Sequence, residues 1–413
     1  MKQSHLFAKT IRNISEDIKS VSHKFLLRGG FIFPIGAGIY ALSPLGFRVF
    51  EKIKNIIRSD FDKFEVQEIS MPIVHPARIW KQTGRFQEIG DELWKIKNRE
   101  GEDFVLAMTH EEIAAYIAET VIKTYKDLPV LVNQFQIKIR DEFRARGGML
   151  RAKEFLMQDA YSFDRNEKGM DESYEKFYES YKMIFKNLSL EVVSVEASGG
   201  VMGQGQSHEF MLISEVGEDK AVFCEKCGYK ANIEVLVNAK NCPKCEIELK
   251  EASAIELGHI FKLGLKYSKP LNIKFKDNEG KDNIVYMGSY GIGIGRAMAA
   301  IAEVHNDEKG LVWPQALSPF TAHLISLKQN DESGKIYATL LKSGIDVLYD
   351  DRLDKTPGEK FADADLMGIS YRIVVSEKTI EKKSVEVKKR NEEKRELLST
   401  EKLSSFLLKN FNN

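Results

Sequence analysis

Arginines and carboxylates crowd together between residues 135 and 164, FQIKIRDEFRARGGMLRAKEFLMQDAYSFD. Phe135, Ile137, Ile139 and Phe143 alternate with Gln136, Lys138, Arg140, Glu142 and Arg144, the period of a strand with one apolar and one polar face. A turn containing Gly147 and Gly148 follows, flanked by Arg146 and Arg151, and the chain returns through Glu154, Phe155, Leu156 and Met157. Such a hairpin suits a polyanion joined to a flat base. Guanidinium groups grip phosphate through a forked set of donors, and an aromatic face stacks a purine. A solvated sheet face would show the same alternation.

Three other constellations could do chemistry. In Met108-Thr109-His110-Glu111-Glu112, Thr109 and Glu112 fit a capping box, and Ile113, Ile117, Val121 and Ile122 continue as an apolar helical stripe. The box has no need of Glu111. Buried without a cation, Glu111 would be costly, and an ammonium ligand would supply the partner. Residues 284–303, IVYMGSYGIGIGRAMAAIAE, read as a strand, a glycine run and an Ala-rich helix opened by Arg296. Gly291-x-Gly293 fails the dinucleotide fingerprint because Arg stands where its third glycine belongs. Glycines admit close backbone approach, and an Arg at a helix start favours an anion; a tight turn with a surface Arg has the same sequence. Cys224, Cys227, Cys242 and Cys245 form two C-x-x-C knuckles that can converge on one tetrahedral ion. Four thiolates leave no open coordination position, so the expected zinc is structural.

The elements that must carry these residues can be outlined. Residues 1 to about 30 are polar and helical in pattern. Ser43-Pro44 is a helix start, and Val49, Ile53, Ile56 and Ile57 repeat at helical spacing. A strand over 64–69 and Pro72 follow. Residues 199–210, GGVMGQGQSHEF, are glycine-rich and end in Ser207-His208-Glu209-Phe210. From about residue 315 strands and helices alternate, which predicts a small α/β domain. Lys382, Lys383, Lys388, Lys389 and Arg390 there form either a solvated face or a contact for an RNA backbone.

Bulk properties narrow the class. The 413 residues suffice for two or three domains. Lys plus Arg and Asp plus Glu are both 61, so indiscriminate coating of nucleic acid is excluded and RNA contacts must be local. No apolar run is long enough to span a bilayer, the first twenty residues lack a secretory apolar core, and four cysteines do not make a disulfide scaffold. A cytoplasmic protein is expected.

R-D-E-F-R-x-R, the Gly-rich loop and R-x-K-E-F-L-M-x-D-A-Y-S-F resemble motif 2 of a class II aminoacyl-tRNA synthetase, specifically a prolyl-tRNA synthetase of the bacterial type. Ala145 stands where that family has proline. The helix, strand and Pro72 are similar to motif 1, which builds the dimer interface in the family; the Arg296 turn is similar to motif 3. D-D-R, K-x-P-G-x-K-F and Y-R-I-V-V resemble the class IIa anticodon-binding domain. The resemblance implies an α+β class II synthetase catalytic core, an antiparallel sheet flanked by helices, over 1–310, followed by a C-terminal α/β anticodon-binding domain over 315–413.

The implied reaction joins L-proline to tRNA(Pro) with ATP through prolyl-adenylate, releasing pyrophosphate and AMP, in a homodimer. By resemblance Arg140 bridges the proline carboxylate and the α-phosphate, while Thr109 and Glu111 hold the ammonium and His208 walls the proline pocket. Glu142 faces the adenine, Phe155 stacks on it and Gln158 lines the site. Arg151 and Arg296 hold the outer phosphates with Mg²⁺, and Arg144 and Arg146 meet the tRNA acceptor end. Tyr229-Lys230-Ala231-Asn232-Ile233-Glu234 is similar to the segment after which long bacterial members carry an editing domain. Here a zinc-ribbon-like insertion, 221–255, takes its place. A pocket discriminates weakly against a smaller side chain, since a methylene is worth only ~1–3 kcal/mol, so alanine activation without Ala-tRNA hydrolysis is expected. A tRNA-sensing paralogue would be expected to lack one of Glu111, Arg140 or Arg296, and a zinc-ribbon nucleic-acid binder would not need the T-x-E segment.

Overall fold

The computed structural model of the chain describes residues 1–200, 202–203, 207–236 and 240–411. They fall into two compact units: Met1–Ile35, Tyr40–Ile53 and Ile301–Asn413 form one, and Gly36–Ile39 with Lys54–Ala300 form the other.

The larger unit is built on a nine-stranded, mostly antiparallel sheet. Val130–Ile139 pairs with Glu154–Asp164, so the arginine hairpin exists, with Phe135 opposite Gln158 and Ile139 opposite Glu154. Its faces differ from the expectation. The strand stops at Ile139, and Phe143 is 91% exposed in the loop beyond. Gln134 and Lys138 are buried, because Asp159 on the facing strand accepts from both, at 2.8 and 2.6 Å. The polar side of the strand thus carries an internal ion pair and not a solvated surface.

Glu154–Asp164 is flanked by Tyr286–Gly293, which pairs in turn with Lys250–Gly264. Beyond it the sheet curls shut. Asp219–Phe223, Lys230–Asn232, Val192–Ala197 and Ser207–Ile213 continue the order, and Ser207–Ile213 pairs back onto Lys250–Gly264. Val195, Met211, Ala221 and Ala254 fill the ring. The strands leading into and out of the cysteine knuckles are therefore staves of this ring. Helix Glu167–Asn187 packs on the sheet through Phe177, whose ring stacks on Tyr290 at 3.8 Å.

Pro44–Phe61 is the predicted helix, and Ser43 Oγ accepts from the Leu45 and Gly46 amides at 3.1 and 3.2 Å. The strand after it shrinks to Gln67–Glu68, parallel to Val132 and Asn133. The N-terminal residues are not one helical stretch. Only Val21–Arg28 is an α-helix, capped by Ser20; Lys2 instead bridges in parallel to Tyr349, satisfying backbone groups at that edge.

In the other unit, Val347–Asp350, Ala322–Ser326 and Tyr371–Val375 run parallel, and Ser384–Lys389 and Arg395–Ser399 extend the sheet antiparallel. Thr356 and Glu359 close a true capping box on helix Pro357–Met367, and Gly368 ends it at φ 67°. Leu324, Leu340, Ile373, Val387 and Leu407 share its core.

Candidate active site

The hairpin, the Tyr286–Gly293 strand and the segment before helix Glu111–Val121 surround a cavity of about 190 Å³. Thr109, Glu111, Arg140, Phe155 and Arg296 line it, so five of the predicted site residues meet in one place. Glycines Gly258, Gly291 and Gly293 contribute wall without bulk.

The Thr109–Glu112 capping box does not form. His110 is the residue before the helix and makes no side-chain cap. Thr109 Oγ1 donates instead to the Glu111 carboxylate, and Ser289 Oγ donates to Glu111 Oε1 at 2.8 Å. Glu112 is claimed by Arg85, whose Nη1 reaches its two oxygens at 2.9 and 3.0 Å. Burial pushes the Glu112 carboxyl above its ordinary value, against the pull of that guanidinium. Glu111 is not without a cation, since Arg85 Nη1 stands 3.7 Å from it, but its closer contacts are hydroxyls.

Arg140 follows the end of its strand. Its Nε donates to the Met108 carbonyl at 3.3 Å and its guanidinium lies 5.2 Å from the Phe155 ring centroid. Burial, and next the charge of Arg296, lower its pKa from the ordinary arginine value. Such a cation gains from an arriving anion. Arg296 lies in the first turn of helix Ile294–Val304 and is held by the Leu150 and Glu256 carbonyls, at 2.9 and 2.7 Å, and by Glu256 Oε2 at 2.9 Å. Burial would raise Glu256, but the His259 hydrogen bond and the Arg296 charge outweigh it and hold the carboxyl well below its usual range.

Glu142, Arg144 and Arg151 line a second depression with Asp91 and Glu92. Arg151 Nη2 bonds Glu142 Oε1 at 2.9 Å, while Glu218 accepts from both Arg146 and Arg151. Ala145 lies against Gly38, which sits at φ +73°; a Cβ on Gly38 would come 2.6 Å from that of Ala145, so position 38 has no room for a side chain.

Two site expectations are relocated. Gln158 is fully buried, donates to Asn133 Oδ1 at 2.9 Å and accepts from Tyr181 at 2.8 Å; its amide is spent inside the sheet and does not line the cavity. His208 Nδ1 pairs with the Tyr174 hydroxyl at 2.7 Å and is also absent from the lining. Residues 201 and 204–206 of the glycine-rich stretch lie outside the described residues. Conversely, sequence reasoning missed Ser289 and Asp159, both of which line the cavity. Ser289 sits in the glycine-rich strand, where only pairing with the Glu111 region reveals its partner.

The four cysteines converge, with Cys224 and Cys245 sulfurs 3.3 Å apart, Cys227 and Cys242 sulfurs 3.5 Å apart, and all four within 4.8 Å of one another. None is in a disulfide. Zn–S bonds of about 2.3 Å fit a set of that size. Among the described residues no helix is long and apolar enough to cross a membrane.

Comparison with known proteins gives the same frame. The tRNA synthetase class II core domain (G, H, P, S and T) matches residues 94–305, and an anticodon binding domain matches 318–410. The chain is 39% identical over 405 residues to the proline–tRNA ligase of Wolbachia sp. subsp. Drosophila simulans, covering 94% of this chain and 95% of that one. The Ehrlichia chaffeensis proline–tRNA ligase is 37% identical over 99% of this chain and all of its own length. That of Thermodesulfovibrio yellowstonii is 33% identical, with 97% of this chain and 98% of the relative covered, but the alignment runs to 559 positions, so that relative has a long segment this chain lacks. A prolyl-tRNA synthetase from Cryptosporidium parvum, solved with halofuginone and AMPPNP, superposes at a TM-score of 0.77 with 21% identity, over 95% of this chain and 76% of its own. The chain belongs to the prolyl-tRNA synthetases, a family of class II aminoacyl-tRNA synthetases.

Proposed function

We propose that the cavity lined by Thr109, Glu111, Arg140, Phe155 and Arg296 is where the chain activates L-proline with ATP before passing it to tRNA(Pro). The observation that carries this is the arrangement of opposite charges on one small cavity: a buried carboxylate dressed by two hydroxyls, and two guanidinium groups. Glu111 with Thr109 takes the proline ammonium. Arg140 draws the proline carboxylate toward the α-phosphorus, and the carboxylate oxygen displaces pyrophosphate. Negative charge crowds at that phosphorus in the transition state, where a fixed, partly desolvated guanidinium stabilises it most. Phe155 stacks on the adenine, Glu142 faces the adenine side, and Arg151 and Arg296 take the outer phosphates of ATP, which enters with Mg²⁺. The terminal ribose hydroxyl of tRNA then takes the prolyl group and AMP leaves. No protein nucleophile is required.

Residues 315–413 serve as the anticodon-binding domain, and Arg144 and Arg146, on the exposed loop, meet the acceptor end. The chain works as a homodimer through the Pro44–Phe61 region, where Phe47 is 57% exposed. Cys224, Cys227, Cys242 and Cys245 hold a structural zinc that fixes the turns between the ring strands. We place the protein in the cytoplasm, where such thiols stay reduced.

The test is ATP–pyrophosphate exchange with each of the twenty amino acids. Exchange should depend on proline and be lost in Arg140→Ala. Near-normal exchange in that variant would refute the assignment of the cavity.

A further inference from the structure

Beneath the cavity lies a charged residue that the reaction chemistry does not call for. Arg85 opens the short helix Arg85–Glu88, is 1% exposed and does not line the cavity. Its Nη1 is 2.9 and 3.0 Å from the Glu112 oxygens and 3.7 Å from Glu111 Oε2. Nη2 rests 2.9 Å from Met202 Sδ, and Nε has no partner. The guanidinium is held between aromatic rings, 5.3 Å from the Trp80 centroid and 5.4 Å from that of Tyr267. Glu111 and Glu112 are 1% and 0% exposed, so one guanidinium serves two fully buried carboxylates.

The neighbouring charges close among themselves. Lys138 pairs with Asp159 at 2.6 Å, and Arg140 faces the cavity, where it answers the substrate carboxylate. With Glu112 ionised in its pair with Arg85, the three groups Glu111, Glu112 and Arg85 retain a single negative charge, carried by Glu111 at the cavity wall. A buried charge in that position is expensive until a cation arrives.

We infer that Arg85 sets the charge of the amine pocket: committed to Glu112, it leaves Glu111 one buried negative charge for the substrate ammonium to match. The inference rests on the reading of Glu111 as the ammonium ligand. Arg85 acts through the two carboxylates and is a positioning residue. Without Arg85, two carboxylates share the pocket and repel, or one takes up a proton. Without Glu112, Arg85 is released to close its gap to Glu111 and neutralise it. Either loss spoils the match, and losing both restores it.

Arg85→Met, Glu112→Gln and the double variant are compared by proline and ATP titration in the exchange assay. Each single change should raise the proline KM by about tenfold or more with ATP KM within about twofold, and the double should return proline KM to within about threefold of the parent. A double variant no better than the worse single, or single variants with unchanged proline KM, would overturn the inference. Should Arg85→Met fail to fold by circular dichroism, Glu112→Gln against the double variant makes the same comparison. Glu111→Gln measured alongside separates the two readings. An unchanged proline KM there removes the amine-pocket reading itself. A large rise there, with flat Arg85 and Glu112 variants, removes only the role of Arg85.

Discussion

Ser289 Oγ donates to Glu111 Oε1 at 2.8 Å, joining residues 178 positions apart, one on a strand and one at a helix start. With the Thr109 hydroxyl this fixes the carboxylate at the cavity wall. Hydrogen bonds to a charged group are worth about 1.5–3 kcal/mol, so Glu111→Gln should raise the proline KM roughly 10- to 100-fold, and Ser289→Ala a few-fold, with ATP KM little changed. Equal effects on both substrates, measured in the exchange assay, would place Glu111 outside the amine pocket.

Legibility followed the physics of each residue. The capping box on Thr356 and Glu359 forms because Lys355 takes only Glu359 Oε1, at 3.0 Å, and leaves Oε2 for the Thr356 amide at 2.9 Å. The same pattern at Thr109 and Glu112 fails because Arg85, 27 positions away, takes the glutamate. Arg140 and Arg296 were recognisable because the motifs around them are local. The alternation of 135–144 showed a strand but not its environment: Lys138 reads as solvated and is buried against Asp159. Pairing of that kind depends on strand register, which local spacing does not state.

The cysteine set offers a separate test. Purified protein should carry about one tightly held zinc per chain by elemental analysis, and Cys224→Ser should lose it together with thermal stability, since binding energy at a structural site is folding energy. Substoichiometric metal with four reactive thiols would contradict this.

The long segment of the Thermodesulfovibrio yellowstonii relative has no counterpart here, and this chain is predicted not to proofread. Alanine should support slow exchange, since one pocket separates it from proline by only ~1–3 kcal/mol, and Ala-tRNA(Pro) should persist when mixed with the enzyme. Rapid hydrolysis would show a deacylating site elsewhere in the chain.

Acid should destabilise the fold through His75. Its Nδ1 accepts from the Trp80 indole N–H at 3.1 Å and its Nε2 meets the Pro72 carbonyl at 2.8 Å, an arrangement for the neutral ring. Burial lowers its pKa from 6.5 to about 4. Below pH 6.5 the unfolded chain takes up a proton that the folded chain refuses, so stability is lost as pH falls from 6.5 to about 4, on the order of 3 kcal/mol for this residue. His75→Gln should flatten the fall in unfolding free energy over that range, measured by denaturant titration; an identical slope would exclude His75 as the cause.

The most direct measurement is a crystal structure with a non-hydrolysable prolyl-adenylate analogue. The pyrrolidine nitrogen should lie against Glu111 and Thr109, the phosphate oxygens against Arg140 and the adenine on Phe155. Density for the analogue in any other place, or an empty cavity at saturating concentration, would contradict it.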